Sequence, residues 1–551
     1  MSKLRLALAQ TNPTVGAIEA NSKVILENIK MAKEQGANLV VFGEMALTGY
    51  PIEDLASSQD FLLQAELALK NLIVKTMEPA LSGITIVLGH PALATAQEQT
   101  GWAIAKNMAT VFRDGKLVGS YAKHHLPNYS VFDEYRIFVP GQDLFTFELE
   151  GLNISTVICE DIWQSGGPVA QISKNQTDLT LVINGSPFEV DKDDKRLSLV
   201  TELAKKHSCA VAYVNLVGGQ DELVFDGDSV IVDSKGRLSA RLKQFKTDLL
   251  ILDVVAKDEI KVVGEHHISK PNDYWQIWNA LVLGLRDYCY KNGFTDVVLG
   301  LSGGIDSAVC ATIAADALGP EHVHGVSMPS RYSSVGSKDD AKDLAKRRAI
   351  DYQVQPIEEL VKPFEEQLGL SGLSAENLQA RVRGVILMGL SNKNGWLTLT
   401  TGNKSELAVG YSTIYGDTVG GFAPIKDIEK TLVWDLAKWR NEYAMNKGEV
   451  APIPESSISK APSAELREGQ VDQDSLPPYD VLDAILDAYV NGRKSVAEIV
   501  GYGFKQELVE KVIGLVNHAE WKRRQGAIGP KITGMAFGRD RRLPITNKYK
   551  G

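Results

Sequence analysis

Ser302-Gly303-Gly304-Ile305-Asp306-Ser307 is the stretch that decides the fold of the second half of this sequence. It follows an apolar run at residues 297–301 and precedes an apolar segment at residues 308–318, so the pattern predicts a strand, a tight turn and a helix. Such a turn directs backbone N–H groups and the positive end of a helix towards an anion, and its glycines let a phosphate approach the backbone. We therefore expect this turn to bind a nucleotide.

The turn differs from two common nucleotide-binding loops. It has neither the G-x-x-x-x-G-K-[ST] pattern of a P-loop nor the G-x-G-x-x-G pattern of a dinucleotide-binding turn. It resembles instead the pyrophosphate loop of ATP pyrophosphatases, and this resemblance implies that ATP is split between its α and β phosphates. Ser302 and Ser307 offer hydroxyl donors, and Asp306 can hold a divalent cation on the phosphates. The alternative interpretation is an ordinary strand-to-helix turn without a ligand.

Length, charge and cysteine content argue against several classes of protein. A chain of 551 residues is expected to form more than one domain, and its net charge of −10 argues against nucleic acid as the principal partner. We find no apolar stretch long enough to cross a membrane and no signal peptide, so we expect a cytoplasmic protein with small-molecule partners. Cys159, Cys209, Cys289 and Cys310 are scattered, which is typical of reduced thiols.

The first half alternates strand-like and helix-like patterns. Strands are predicted at residues 4–10, 38–42, 84–88, 154–158, 179–183 and 211–216, and helices at residues 21–34 and 61–76. Hairpins are predicted where Asp114-Gly115 and residues 233–236 separate short apolar runs. This half is therefore predicted to be a layered α/β domain with antiparallel hairpins.

The second half follows a polar stretch at residues 255–272, where we place the boundary between domains 1–260 and 261–551. Strands predicted at residues 297–301, 323–328, 352–356 and 396–400 alternate with helices, which indicates a doubly wound parallel sheet. Ligands of such sheets bind beyond the carboxyl ends of the strands, where Ser302 lies. Residues 451–478 are rich in proline and are predicted to be a long loop, either functional or disordered.

Glu44, Lys123 and Cys159 stand out in the first half because each follows a predicted strand or hairpin. If the three converge, the ammonium lowers the pKa of the thiol, and the carboxylate takes its proton and later activates water. The ammonium and a backbone N–H could also stabilise an oxyanion. Taken separately, a buried structural cysteine and two surface charges are the simpler interpretation. His124 and His125, beside Lys123, are interpreted as structural.

The segments around these residues resemble the carbon–nitrogen hydrolase (nitrilase) superfamily. The resemblance implies a four-layer αββα sandwich with a Glu–Lys–Cys catalytic triad. Residues 132–138 resemble the segment that holds a second glutamate, and residues 184–188 resemble the strand end and glutamine pocket of the family, although many relatives have alanine at the position of Gly185. The implied site residues are the catalytic Glu44, Lys123, Cys159 and Glu134, and the glutamine-binding Tyr129, Ser186 and Lys192.

Four motifs of the second half, at residues 328–334, 376–383, 400–406 and 411–417, resemble NAD synthetases. With the amidase-like first half, they resemble the glutamine-dependent members of that family over nearly the whole chain, although residues 526–530 depart from the usual pattern. The resemblance implies contacts to ATP from Gly300, Leu301, Ser302, Gly303, Gly304, Ile305, Asp306, Ser307 and Thr401, to deamido-NAD from Asn377, Glu406 and Lys522, to phosphate from Lys430, and to Mg²⁺ from Asp306, Glu406 and Asp417. Taken alone, each acid could be a surface or capping group, and Asn377 could be a helix cap.

This resemblance implies a ligase that joins two reactions. Glutamine is hydrolysed to glutamate and ammonia, and ATP, with Mg²⁺ as cofactor, adenylates deamido-NAD so that ammonia displaces AMP and gives NAD. We expect a buried tunnel for the ammonia, and a homo-oligomer because relatives assemble in this way. Two alternatives stay open: an amidotransferase with a different carboxylate acceptor, and an ATP-sensing binding module that carries an inert amidase.

Overall fold

The computed structural model describes residues 2–257, 259–264 and 269–548. The chain divides into two compact units, Met1–Gln220 with Val224–Pro271, and Asp221–Leu223 with Asn272–Gly551. Part of the polar stretch that we used as a boundary, residues 258 and 265–268, lies outside the described residues. Among the helices of the described residues, none has the length and apolar character needed to cross a bilayer.

The elements up to residue 263 are mainly strands. The strands are β1 (Ser2–Gln10), β2 (Leu39–Phe42), β3 (Thr85–Leu93), β4 (Ala105–Arg113), β5 (Lys116–Ala122), β6 (Phe145–Leu149), β7 (Leu152–Ile158), β8 (Leu179–Asn184), β9 (Ala210–Asn215), β10 (Val217–Gln220), β11 (Leu223–Asp226), β12 (Val230–Val232), β13 (Leu238–Arg241), β14 (Asp248–Ala256) and β15 (Ile260–Val263). The helices are α1 (Ile18–Glu34), α2 (Gln59–Lys75) and α3 (Lys192–His207).

The first unit has the four-layer αββα arrangement that the resemblance to carbon–nitrogen hydrolases implies. A sheet in the order β15-β14-β1-β2-β3-β4-β5 packs against a second sheet in the order β13-β12-β9-β8-β7-β6. Helices α1 and α2 contact the first sheet, and α3 contacts the second. Leu4, Leu6 and Leu8 alternate along β1, so they point to one face and share a buried core with Val157 and Leu181 of the second sheet.

The second unit is richer in helices. Its strands are β16 (Val297–Gly300), β17 (Val323–Ser327), β18 (Asp351–Val354) and β19 (Leu397–Thr398). Its helices are α4 (Asp273–Lys291), α5 (Ile305–Leu318), α6 (Val335–Arg348), α7 (Glu358–Leu368), α8 (Leu373–Asn394), α9 (Lys404–Val409), α10 (Lys430–Met445), α11 (Glu455–Ser459), α12 (Tyr479–Leu486), α13 (Val496–Gly501), α14 (Gln506–His518) and α15 (Glu520–Arg523).

The strands of the second unit form a parallel sheet in the order β18-β17-β16-β19. Each strand lies where the sequence predicts one but is shorter; beyond β19, Leu399 forms only an isolated bridge with Phe422. Val298 and Val326 pack against α7 and α8, while α5 contacts the same two strands. Because neighbouring side chains of a strand point to opposite faces, helices cover both sides of the sheet, as expected of a doubly wound fold.

Candidate active sites

Cys159 lies directly after β7 as the first residue of a 3₁₀ turn, and its side chain is nearly buried. Its φ of +42° falls in the left-handed region, which a residue with a side chain holds only when the surrounding structure supports it. The buried carboxylate of Asp161 gives this support, because its Oδ2 accepts from the backbone N–H of Ile158 (3.0 Å) and its Oδ1 accepts from that of His125 (2.8 Å). The thiol is thereby fixed to the segment that carries Lys123.

Glu44, Lys123 and Glu134 form a buried charged cluster whose charges act on the thiol. The Nζ of Lys123 lies 2.8 Å from Oε1 of Glu44 and 2.9 Å from the carboxylate of Glu134, to which the hydroxyl of Tyr50 also donates (2.8 Å). Burial disfavours the charge of Lys123, but the carboxylates of Glu134 and Glu44 outweigh it and raise the lysine's pKa well above its ordinary value. Lys123 is therefore a permanent cation at this site.

The protonation of the thiol differs from the sequence-based expectation. We expected Lys123 to lower the pKa of Cys159, but burial and then the negative charge of Glu44 raise that pKa well above its ordinary value and outweigh the lysine. The thiol is therefore neutral at neutral pH. It has to lose its proton to a base as it attacks, and Glu44 is the carboxylate with the largest influence on it.

Glu44→Gln is expected to make Cys159 more reactive towards iodoacetamide while it lowers glutamine hydrolysis. Without the glutamate charge, the ammonium of Lys123 dominates the field at the thiol, so its pKa falls and the thiolate fraction at neutral pH rises. We expect alkylation about tenfold faster, which corresponds to a fall of about one unit in the thiol pKa. Mass spectrometry of the peptide that contains Cys159 measures the rate, and an unchanged or slower rate would contradict this electrostatic account.

Asn107 and Gly185 contact Glu44 but were absent from the sequence-predicted site. The Nδ2 of Asn107 donates to Oε1 of Glu44 (2.6 Å), and the backbone N–H of Gly185 donates to Oε2 (2.8 Å). A Cβ at Gly185 would lie 2.9 Å from a ring carbon of Tyr50, so an alanine at this position needs a shift of that ring. Asn107 is one of several polar residues in β4, so the sequence gives no distinct signal for it.

The three predicted glutamine contacts have different surroundings. Tyr129 is half exposed, and its hydroxyl donates to Oε2 of the buried Glu160 (2.9 Å). Ser186 is buried directly after Gly185, and its Oγ accepts from Nε of Arg196 (3.2 Å). Lys192 is the first residue of α3 and is partly buried. Burial and the carboxylate of Glu160 raise the pKa of Tyr129, and the charges of Cys159 and Lys123 have smaller effects on it.

The predicted glycine turn of the second unit connects β16 with α5 and lines a pocket of about 660 Å³. Within the turn, the hydroxyl of Ser307 donates to the carbonyl oxygen of Gly304 (3.0 Å), and the N–H of Gly304 donates to Oγ of Ser302 (3.2 Å). The predicted residues that line the pocket are Gly300, Leu301, Ser302, Gly304, Ile305, Asp306, Ser307, Thr401, Glu406, Asp417 and Lys430. Gly303 is not among these lining residues, and a Cβ on it would point at the carbonyl oxygen of Ser337 in α6.

Gly303→Ala is expected to destabilise the second unit, whereas Gly304→Ala is the matched control. The φ of Gly303 is +82°, and a Cβ there would lie 2.2 Å from the carbonyl oxygen of Ser337. The φ of Gly304 is −82°, and its added Cβ would come no closer than 3.3 Å to Oγ of Ser302. Strain of about 1–3 kcal/mol is expected at Gly303, seen as a lower Tm without ligands. Equal Tm values for the two variants would contradict this.

Asp306 and Glu406 converge on the ammonium of Lys430. The Nζ of Lys430 contacts Oδ2 of Asp306 and lies 3.2 Å from Oε1 of Glu406, while Oδ1 of Asp306 accepts from Nδ2 of Asn403 (3.0 Å). Burial raises the pKa of Glu406 to about 7 although Lys430 opposes this shift, and the two carboxylates raise the pKa of Lys430 despite its burial. The pocket thus contains a pair of acids around one cation.

Asp417 does not join this pair, which differs from the predicted set of three metal ligands. Its Oδ1 accepts from the backbone N–H of Thr413 (2.6 Å), and the nearby cations that act on it are Lys522 and Arg383. The side chain keeps access to solvent, yet the crowded pocket raises its pKa to about 6. Within the described part of the chain, no three His, Cys, Asp or Glu side chains are grouped as a metal site.

Arg383 is a pocket residue that the sequence-predicted site did not include. Its Nε donates to the carbonyl oxygen of Met328 (3.1 Å), and no carboxylate among the described residues forms an ion pair with it. Burial lowers the pKa of this guanidinium to about 10. Arg383 lies within the motif at residues 376–383, so its positive charge in that motif could have identified it as a site residue. The pocket therefore offers a cation to an anionic ligand.

Asn377 and Lys522, predicted to contact deamido-NAD, support the pocket wall from behind. Asn377 lies inside α8 and is not its cap; its Oδ1 accepts from the hydroxyl of Thr413 (2.8 Å). The Nζ of Lys522 donates to the carbonyl oxygens of Gly410 and Ser412, both at 2.8 Å. Both side chains hold residues 410–413, of which Ser412 and Thr413 line the pocket.

Residues 451–478, predicted as a functional or disordered loop, contain α11 and supply part of the pocket wall. The carboxylate of Glu465 accepts from the hydroxyls of Ser334 (2.8 Å) and Ser337 (2.7 Å) and from the N–H of Ser334 (3.2 Å). Ser334 is the N-cap of α6, so the carboxylate lies at the positive end of that helix. This contact anchors the loop beside the pocket and favours the functional interpretation.

Comparisons with known families match both halves of the chain. A family model described as NAD synthase matches residues 277–526, and one described as carbon-nitrogen hydrolase matches residues 5–261. The glutamine-dependent NAD(+) synthetase of Acinetobacter baylyi is 44% identical over 558 residues, which cover 100% of this chain and 99% of that relative. The glutamine-dependent NAD(+) synthetase of Aquifex aeolicus is 42% identical over 582 residues, which cover 99% of this chain and 100% of that relative.

Solved structures agree with these matches. The glutamine-dependent NAD+ synthetase from Acinetobacter baumannii, solved in complex with adenosine diphosphate, has a TM-score of 0.78 and 41% identity over 99% of both chains. The glutamine-dependent NAD(+) synthetase from Cytophaga hutchinsonii has a TM-score of 0.82 at 24% identity, over 99% of this chain and 98% of that chain, which shows a common fold.

Proposed function

The chain belongs to the family of glutamine-dependent NAD(+) synthetases, and we propose that its two candidate sites divide the work of this enzyme. The thiol site of the first unit takes nitrogen from glutamine, and the pocket of the second unit uses ATP to place that nitrogen on deamido-NAD. The observation that carries this proposal is that one chain holds both a buried Glu44–Lys123–Cys159 cluster and a glycine-turn pocket with Asp306.

Glutamine hydrolysis begins with the neutral thiol of Cys159. As Sγ bonds to the side-chain carbonyl carbon, Glu44 takes the thiol proton, and the permanent cation of Lys123 and a backbone N–H stabilise the oxyanion that forms. Collapse breaks the C–N bond, and the proton returns from Glu44 to the leaving ammonia. We propose that Tyr129, Ser186 and Lys192 hold the glutamine during this step.

Water then hydrolyses the thioester on Cys159. Glu44 takes a proton from the water molecule that attacks the carbonyl carbon, the C–S bond breaks, and glutamate leaves as Cys159 regains its proton. We propose that Glu134 holds Lys123 in place, since its carboxylate accepts from Lys123 and Tyr50, while Glu44 carries out the proton transfers. The site therefore needs one base for both halves of the hydrolysis.

The second unit activates the nicotinate carboxylate of deamido-NAD. This carboxylate attacks the α phosphorus of ATP, the bond to the β-phosphate oxygen breaks, and pyrophosphate leaves. The N–H groups of the glycine turn, the helix α5 behind them and the ammonium of Lys430 neutralise the charge that builds up. Ammonia then attacks the acyl carbon and loses a proton, and AMP departs to leave the carboxamide of NAD.

Asp306 and Glu406 fit a magnesium ion as a pair of oxygen ligands. They already converge on one positive charge, and Mg²⁺ in ATP-using sites is commonly held by one or two carboxylates together with phosphates. When bound there, the ion would supply charge neutralisation on the phosphates. The donor set that we propose thus contains Asp306 and Glu406 and omits Asp417, which has other partners.

We propose that Arg383 contributes to the recognition of deamido-NAD. The guanidinium of Arg383 lines the pocket without an ion pair to any described carboxylate, which suits a pyrophosphate or a carboxylate of the dinucleotide. Asn377 and Lys522 act on residues 410–413, so direct contacts from them to deamido-NAD stay a prediction. A cytoplasmic location, a homo-oligomeric assembly and the domain bounds 1–260 and 261–551 also stay predictions.

The proposed function is tested by following AMP and NAD. With ATP, Mg²⁺, glutamine and deamido-NAD, we expect NAD and AMP in equal amounts, and no AMP when deamido-NAD is omitted. Nicotinic acid mononucleotide replaces deamido-NAD in a parallel reaction to test the alternative of a different acceptor. ADP as the product, or AMP with the mononucleotide only, would contradict the proposal. The absence of AMP with both acceptors would favour the binding module.

A further inference from the structure

We propose that Asn107 is a positioning residue of the glutamine-hydrolysing site, and that it decides which oxygen of Glu44 receives the proton of Cys159. This inference rests on the proposed function of that site. Asn107 lies on β4 and its side chain is 1% exposed. Its Nδ2 donates to Oε1 of Glu44 (2.6 Å), and its backbone carbonyl accepts from the N–H of Lys123 (2.9 Å). One residue therefore contacts both Glu44 and Lys123.

The two carboxylate oxygens of Glu44 accept different numbers of hydrogen bonds. Oε1 accepts from Asn107 (2.6 Å) and from Nζ of Lys123 (2.8 Å), so its two lone pairs are both used. Oε2 accepts from the N–H of Gly185 (2.8 Å), and no second donor to it is found among the described residues. The free lone pair therefore lies on Oε2, and the thiol proton goes there.

The hydrogen bond to Glu44 fixes the side-chain amide of Asn107 in one orientation. Its other atom, Oδ1, is buried without a hydrogen-bond partner among the described residues. A reversed amide would bring Oδ1 against Oε1 of Glu44, two acceptors in contact, so the bond to Glu44 alone fixes the group. Because Oδ1 of Asn107 is buried without a partner among the described residues, Asn107 lowers the stability of the fold. A hydrophobic residue at this position would avoid that loss.

Loss of Asn107 would leave a lone pair of Oε1 free, while Lys123 and the N–H of Gly185 would still hold the carboxylate. The proton could then go to the oxygen that contacts Lys123, which weakens the ion pair between Glu44 and Lys123. Because Asn107 contacts Glu44 and Lys123 and not glutamine, the defect should lie in the chemical step. Binding of glutamine should be almost unaffected.

The test uses Asn107→Ala and the nearly isosteric Asn107→Asp in the full-length enzyme. We expect kcat for glutamine hydrolysis to fall about 10- to 100-fold in both, with KM within about twofold of wild type. In Asn107→Asp, the acid limb of kcat/KM against pH should also move up by about one unit, because a second carboxylate beside Glu44 disfavours another negative charge. NAD formation from ammonium chloride should not change in either variant.

Thr110→Val is the matched control for structural damage on the same strand. It removes a buried hydroxyl that lies 2.7 Å from Nε2 of His90, and we expect a lower Tm with wild-type kcat and pH profile. Wild-type kcat in folded Asn107→Ala would overturn the inference. If Asn107→Ala does not fold, an unmoved acid limb in Asn107→Asp would overturn it. Absence of glutamine hydrolysis in the wild-type enzyme would instead count against the proposed function.

Discussion

Cys159→Ala is expected to abolish NAD formation from glutamine while NAD formation from ammonium chloride stays at the wild-type rate. Removal of Sγ removes the nucleophile, so no thioester forms and no ammonia leaves glutamine. A loss of at least about 1,000-fold in kcat/KM for glutamine is expected from the removal of a nucleophile. The pocket of the second unit keeps all of its residues, so free ammonia still reacts there. NAD formation measured with each nitrogen donor gives the two rates.

Cys209→Ala is the matched control for this experiment. Cys209 is another buried cysteine of the first unit, and its Sγ lies 3.5 Å from the hydroxyl of Thr180, with no role proposed for it in the reaction. This variant should be somewhat less stable but active with both nitrogen donors. Equal loss of both activities in Cys159→Ala would mean that the thiol supports the fold and is not the nucleophile.

Asp306→Asn is expected to stop NAD formation from both nitrogen donors. The substitution removes one of two negative charges around Lys430 and one of two proposed magnesium ligands, while the contact with Asn403 can be rearranged. We expect AMP formation to fall at least about 100-fold, as when one group that stabilises transition-state charge is removed. Glutamine hydrolysis, measured without ATP and deamido-NAD, should stay at the wild-type rate because the thiol site is untouched.

Asp343→Asn is a suitable control for the change of charge. Asp343 is exposed on α6 and, within the described part of the chain, forms an ion pair with Arg347 alone, one turn later, so its loss should affect neither activity. Near-wild-type AMP formation in Asp306→Asn would show that the reaction does not need the pair of carboxylates formed by Asp306 and Glu406. A defect confined to glutamine as donor would likewise contradict the assignment of Asp306 to ATP.

Much of the architecture was predictable because it depends on short-range patterns. The apolar run before Ser302, the two glycines and the apolar segment after Ser307 correctly indicated β16, the turn and α5. The alternation of strands and helices indicated a parallel sheet in the second unit and a layered α/β fold in the first. Even so, the sequence did not reveal that Gly303 packs against Ser337 of α6 while its two neighbours line the pocket.

The electrostatics of the sites were not predictable to the same degree. The pattern placed Lys123 beside Cys159 and suggested a low thiol pKa, but it could not weigh burial and Glu44 against the lysine. It also grouped Asp417 with the other acids of the second unit, whereas the fold places it beside Thr413. Asn107 was missed because one polar residue in a strand carries almost no signal of its own.

Residue order alone was sufficient for the family, the strands and helices, and the positions of the reactive thiol and the glycine turn. Each of these depends on neighbours within one element or one turn. The protonation state of Cys159, the two donors on one oxygen of Glu44 and the lysine between Asp306 and Glu406 depended on chain folding. These features arise because groups distant in sequence become buried together, where their desolvation and mutual charge outweigh their intrinsic properties.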